Sequence, residues 1–269
     1  MRGVGWNIFG GIVAQGGSFL SSVLVARLVG RSLFGQFAMI QSTVIALTSL
    51  AALGLGITAT KYVSQYRTSN PERAGRILGL SSMVAVAAAS CFCAGLILFA
   101  PLLAAGSGLV VEFRLSAVYV FFITLNGYQI GALVGLESFQ RMAQISFASG
   151  PLTLLMTWAL TSQFGIRGAV LALGIGAFLL WLLYQIALSS EGRATGITVR
   201  YHRAWSERSA LISFSVPATV SGIIGSVSIW WCNAILVRSS GYAELAIFTA
   251  INNLRLMIVF LPIDRKSVV

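Results

Sequence analysis

Ala26-Arg27-Leu28-Val29-Gly30-Arg31-Ser32-Leu33-Phe34-Gly35-Gln36-Phe37-Ala38 is a short polar break between two long apolar runs, and it holds two arginines and two glycines. A weaker copy lies 208 positions later. There Ala234, Leu236, Val237, Ser240 and Ala246 repeat Ala26, Leu28, Val29, Ser32 and Ala38, while Tyr242 stands for Phe34 and Glu244 for Gln36. Repeats of this kind mark membrane proteins built from two related units. The expectation is one whole unit followed by the start of a second.

Composition fixes the class. Of 269 residues, 57% are hydrophobic and only 9% charged, against about 25% charged in a soluble domain. So few charges cannot cover a water-facing surface, and the chain reads as an integral membrane protein. A formal charge of +11 would point to nucleic acid in a soluble protein. Here basic residues instead hold loops on the cytoplasmic side. No basic tail or aromatic-basic motif is present, so nucleic acid is not an expected partner.

Metal and nucleophile chemistry have little to work with. Cys91 and Cys93 would point about 200° apart on a helix, too divergent to share a metal or a disulfide. The single histidine, His202, lies in a basic loop, which argues against a metal site or a Ser-His-Asp triad. No cofactor is expected. Only Arg2 precedes the first apolar run, which is long enough to span by itself, so no cleavable signal peptide is expected.

A spanning helix needs about 20 residues with few charges. The distances between charged residues place spans at 3–26, 32–60, 77–111, 115–136, 142–166, 168–190, 209–237 and 245–263. The last is broken by Arg255. Barrel strands would show alternating segments of about 10 residues, which these are not. The fold class is therefore all-α, with about eight transmembrane helices.

Loop charge sets the orientation. With the N-terminus inside, twelve Lys and Arg fall on cytoplasmic segments and five outside, so both chain ends are expected in the cytoplasm. In the segment Lys61 to Arg76, Ser69 is expected to cap a short helix begun by Pro71 and Glu72. Glu191 to Arg208 is the longest polar stretch. It divides the chain into a six-helix bundle (1–190), a cytoplasmic linker (191–208) and the start of a second bundle (209–269). It reads as a topology determinant and a surface for anionic lipid, or as a partner site.

Four patterns at span ends now stand together. They are Ala26-Arg27-Leu28-Val29-Gly30 with Phe34-Gly35-Gln36-Phe37-Ala38; Leu53-Gly54-Leu55-Gly56 running into Thr60-Lys61-Tyr62-Val63-Ser64-Gln65-Tyr66-Arg67; Gly131-Ala132-Leu133-Val134-Gly135-Leu136-Glu137-Ser138-Phe139; and Phe164-Gly165-Ile166-Arg167-Gly168-Ala169. In this order they resemble the polysaccharide export and oligosaccharide flippase family. That family is a branch of the multidrug/oligosaccharidyl-lipid/polysaccharide exporter superfamily, which also holds the peptidoglycan-precursor flippase. The resemblance implies two six-helix bundles about a pseudo-two-fold axis along the membrane normal, around a cavity open to one side at a time. It implies a transporter in the bacterial inner membrane, not an enzyme. The expected cargo is a polyprenyl-diphosphate-linked oligosaccharide for O-antigen, capsule or exopolysaccharide. Membrane lipid, a polymerase and other export proteins are the implied partners. Such proteins carry a dozen or more spans, so this chain is expected to be a truncated product.

A flippase performs no bond chemistry. It needs a wet groove, fixed positive charge for phosphates and bundles that rock. Arg255, beside Asn252 and Asn253, is the first candidate, because a charge at the bilayer centre costs about 3 kcal/mol unless it faces a cavity or a partner. Pairing with a carboxylate or snorkelling is the alternative. Arg27 and Arg31 follow, either as substrate contacts or as interfacial anchors. Glu112 and Arg114 are expected to pair with each other. Asn7 and Gln15, Gln41, and Asn126 with Gln129 either line the cavity or bond between helices. Trp230 and Trp231 would stack on sugar or pack against lipid and helix, and Gly16-Gly17 is a candidate bend.

Three other readings remain. A cation-coupled multidrug exporter would favour acidic residues inside spans, and Glu112, Glu137 and Glu244 all lie near span ends. A membrane glycosyltransferase or polymerase would need a large polar loop with paired carboxylates. A non-transporting assembly component of a glycan export complex would bind partners and retain no lipid-linked cargo.

Overall fold

A computed structural model describes residues 2–104, 106–202 and 204–263; the side chains of residues 2–15, 210, 212–214, 216, 221 and 257–263 are outside that description. Among the described residues the chain is all helix: α1 (Arg2–Val29), α2 (Arg31–Ala51), α3 (Leu55–Tyr66), α4 (Pro71–Leu103), α5 (Val110–Gly135), α6 (Phe139–Ala194), a 3-10 turn (Ala204–Glu207), α7 (Arg208–Ser240) and α8 (Tyr242–Ile263).

These elements match the expected spans, with two differences in the breaks. The expected fifth and sixth spans are the two arms of α6, folded back at Gly165, whose φ of 58° and ψ of −134° are not helical. Arg141 on the first arm reaches Glu191 on the second at 3.2 Å, so the arms run antiparallel. The expected second span is broken into α2 and α3 at Leu53 (φ 45°) and Gly54 (φ 61°). Charge spacing could not see this turn, because it contains no charge. The break lets α3 close on α5, where Thr60 Oγ1 donates to the Gly131 carbonyl at 2.9 Å. α1 runs unbroken through Gly16-Gly17.

Five described helices are long and apolar enough to cross a membrane, and the 56 residues of α6 supply two arms. Large apolar side chains face outward: Leu98 is 74% exposed and Leu102 73%. A soluble helix would turn such residues inward. This is a multi-pass membrane protein. Inside, one apolar cluster (Phe34, Phe37, Ile40, Phe113) lies toward the Gly30 end. A second (Leu55, Leu78, Leu133, Leu188) lies toward the Asn70 end.

Ion pairs gather at the Asn70 end. Arg67 meets Glu137 at 2.6 Å, Arg200 meets Glu72 at 3.1 Å, and Glu207 is held by Arg73 at 3.0 Å and Arg76 at 3.2 Å. Three local expectations are corrected. Asn70, not Ser69, caps α4: its side chain accepts from the Arg73 amide at 3.0 Å, with Pro71 following at the first helical position. Ser69 is used on the Gln65 carbonyl instead. The helix it was expected to start is no short one, but the first turn of the 33-residue α4. At the other end, buried Glu112 pairs with Arg167 at 3.0 Å. Arg114, two residues along the same helix, points away from it and is exposed.

Residues 195–202 and 204–207 form a strap over α4. The Arg200 amide donates to the Gly75 carbonyl at 3.0 Å. A Cβ on Gly75 would fall on the Thr198 carbonyl oxygen, and one on Gly79 on that of Arg200. Two glycines four apart thus let backbone lie on backbone.

Candidate functional site

The first two helices meet the last two along a repeated geometry. Gly30, between α1 and α2, has φ 81° and ψ 171°. Gly241, between α7 and α8, has φ 84° and ψ 175°. Only glycine is at ease there. The two stand 211 positions apart, which corrects the register of 208 read from residue likeness. The 208 register would set Gly241 against Leu33, inside α2, where no such backbone occurs. In the corrected register Arg27 matches Arg238, Phe37 matches Phe248 and Gln41 matches Asn252.

Side-chain bonds follow the same relation. Asn233 Nδ2 donates to Ser42 Oγ at 2.9 Å, and Asn253 Nδ2 donates to Ser22 Oγ at 2.9 Å. Ser42 and Asn253 are equivalent in the new register, and so are Ser22 and Asn233. Each bond is therefore the two-fold image of the other. The α2 and α8 starts touch: a Cβ on Gly35 would fall on the Tyr242 carbonyl oxygen. Arg31 closes this end, with Nη2 on Glu244 Oε1 at 2.8 Å and Nε on the Ala243 carbonyl at 3.0 Å. α8 is buried at Leu245 and Ala246, whereas Leu254 and Arg255 are exposed.

A cavity of about 370 Å³ lies inside the first six spans, among α1, α2, α5, both arms of α6 and Asn253 of α8. Its described lining mixes apolar side chains such as Val25, Phe37 and Ile123 with the hydroxyls and amides of Ser21, Ser22, Gln41, Asn126, Ser149 and Thr157, and no charged residue is among them. Asn126 is 4% exposed; its Nδ2 donates to the Ala177 carbonyl at 3.1 Å, and its Oδ1 has no partner. Ser21 Oγ has none either. A second cavity of about 740 Å³ lies between α4, α5, the second arm of α6 and the strap, with Arg193 and Tyr201 among its lining. A crevice of about 440 Å³ runs between α1 and α8, with Arg27 and Asn253 among its lining.

The sequence-stated candidates divide among these places. Gln41 and Asn126 share the inner cavity. Gln129 does not join them: it lines the cavity beside the strap, where its Nε2 donates to Gln185 Oε1 at 2.8 Å. Arg27 is exposed on the α1–α8 crevice. Arg31 is engaged by Glu244. Arg255 is exposed and Asn252 half-buried on α8. Among the described residues neither Arg27 nor Arg255 has an ion-pair partner. The side chains of Asn7 and Gln15 lie outside the described residues. Trp230 donates to Thr43 Oγ1 at 3.0 Å, and Trp231 is 58% exposed.

Sequence reading missed the hydroxyl wall. Ser146, Ser149, Thr153 and Thr157 line the inner cavity from one arm of α6. Their spacing of three and four was a helical face open to view, but such residues pass as ordinary helix glue. Asn233 and Asn253 were equally visible, and only the register of the repeat gives them meaning.

The fold is shared with transporters of known structure. A MATE protein in complex with Br-NRF superposes with a TM-score of 0.77 at 17% identity, covering 97% of this chain and 62% of its own. A MOP superfamily transporter from Pyrococcus furiosus, described as having a binding pocket of reverse polarity that suggests a different function, gives 0.78 at 17% identity, covering 96% and 60%. An outward-facing multidrug resistance MATE family transporter gives 0.72 at 17% identity, covering 96% and 61%. The chain thus spans about three fifths of the length of these neighbours. No curated protein sequence matches it. A family model described as polysaccharide biosynthesis protein matches residues 1–262, and the chain belongs to that family.

Proposed function

We infer that this chain carries a lipid-linked oligosaccharide repeat unit across the bacterial cytoplasmic membrane, for assembly of O-antigen, capsule or exopolysaccharide. Membership of a polysaccharide biosynthesis family on a transporter fold supports the reading. The observation that carries it is the division of charge. Among the described residues Arg31 is spent on Glu244, whereas Arg27, on the α1–α8 crevice, and exposed Arg255, next along α8 from the lining residue Leu254, have no ion-pair partner, and no carboxylate is among the described lining of the inner cavity. Free guanidinium suits the two phosphates of a polyprenyl diphosphate. A cavity without acid is ill suited to a cationic drug. The lipid tail stays in the bilayer while the glycan crosses between the two repeats, which rock by alternating access. The N-terminus faces the cytoplasm. Residues 1–190 work as one bundle and residues 209–269 begin the other. Arg27, Arg255, Asn252 and Gln41 contact the cargo, and a polymerase and other export proteins receive it.

The test is an Arg255→Ala change at the native locus, read as surface polysaccharide. Export is expected to fall strongly while the protein inserts in normal amount. Full export would remove Arg255 from the mechanism.

A further inference from the structure

We propose that the inner cavity is a saccharide subsite: it takes an uncharged sugar ring of the cargo and is closed by Asn253. The proposal rests on the transport reading for its biological meaning, but it stands on separate geometry. At about 370 Å³ the cavity falls within the range of small-molecule sites, and six helical segments converge on it. Its chemistry is selective. Hydroxyls, amides and apolar side chains make up its described lining, with no charge among them, so neither a phosphate nor a cation would find a counter-charge in those residues. Two tyrosines, Tyr119 and Tyr184, supply ring surface that suits the apolar face of a sugar.

The polar groups are unevenly satisfied. Asn126 Oδ1 accepts nothing, although the residue is 4% exposed, and Ser21 Oγ across the cavity is also without a partner. An amide oxygen only accepts, so the missing group is a donor. Leaving such an acceptor unmet is costly in a buried site. A sugar hydroxyl provides both a donor for Asn126 and an acceptor for a serine, which an alkyl chain or a simple ion does not.

Among the described lining residues Asn253 alone comes from the second repeat, and it is tied to Ser22 at 2.9 Å. Asn253 also lines the α1–α8 crevice, where Arg27 sits. The two spaces therefore share a wall. A diphosphate beside Arg27 would leave the attached sugar at this wall, and breaking the Asn253–Ser22 bond would admit it.

The test uses the whole chain in lipid nanodiscs and saturation-transfer NMR, with neutral methyl glycosides of glucose, galactose and N-acetylglucosamine as probes. Transfer to at least one glycoside is expected. Asn126→Leu should weaken it roughly fivefold, the loss of one hydrogen bond. Ser149→Leu, which fills the cavity from the α6 wall, should weaken it at least as much. Each variant is compared at equal folded fraction by its thermal transition. No transfer to any glycoside, or transfer kept by either variant, overturns the subsite. The two readings fail separately: glycoside binding with export untouched by loss of the protein sinks transport alone, and lost export without glycoside binding sinks the subsite alone.

Discussion

Gly30 and Gly241 hold the same backbone conformation, within 4° in both angles, at equivalent turns of two repeats. Each turn joins a pair of successive helices, and each favours a residue without Cβ. The likeness is conformational before it is chemical, since their neighbours Arg31 and Tyr242 have little in common.

Replacing either glycine by alanine should therefore cost a similar amount, about 1–3 kcal/mol each. Thermal or denaturant unfolding in detergent reads the loss. A cost at one position and none at the other would show that the repeats do not share the turn.

The Asn–Ser bonds should behave as a matched pair. Asn233→Leu and Asn253→Leu each remove one interhelical hydrogen bond, worth about 0.6 kcal/mol on average and rarely above 1.7. Melting temperatures of the two variants should fall by nearly equal, small steps. A large loss at only one would mean that the other bond is idle.

Arg167→Ala and Arg114→Ala separate the two possible partners of Glu112. Glu112 is 4% exposed, and removal of Arg167 leaves it without its ion pair. Because Arg167 is itself well exposed, solvent offsets part of the loss, and about 1–2 kcal/mol is expected. Arg114→Ala should stay within about 0.5 kcal/mol. Reversed sensitivities in an unfolding titration would restore the Arg114 pairing.

Glu207→Gln should loosen the strap. Arg73 and Arg76 both converge on this carboxylate, which is 7% exposed as a residue. Without its charge, limited trypsin digestion should cut after Arg200 at least several-fold faster than in the parent, on the order of the 1.5 kcal/mol at the low end for a charged hydrogen bond. An unchanged rate would mean that the glycines alone hold the strap.

Much of the architecture was legible because the membrane makes charge expensive: runs with few or no charges, bounded by charged residues, fall on the long helices of the structure. Breaks that carry no charge were not legible this way, and the Leu53-Gly54 turn inside the expected second span is the clear case. The repeat was legible in kind but not in register. Apolar residues substitute freely for one another, so likeness between Ala26 and Ala234 weighed as much as the conformational demand at Gly30. The site was legible in part. Gln41 and Asn126 line one cavity, whereas Gln129, three positions from Asn126, lines another. A single step of three turns a helix far enough to change cavities when both sides of α5 are lined by neighbours.

The strap has a mechanical consequence. By composition the stretch after α6 looks like a leash of many residues. Its carbonyls rest on Gly75 and Gly79, Ile197 is buried at 1% exposure, and Glu207 is clamped by two arginines. A leash pinned along its length has no slack. A swing of α7 about the Glu207–Arg208 peptide would therefore pull on the start of α4 through Arg73 and Arg76. The joint is a knee, not a tether.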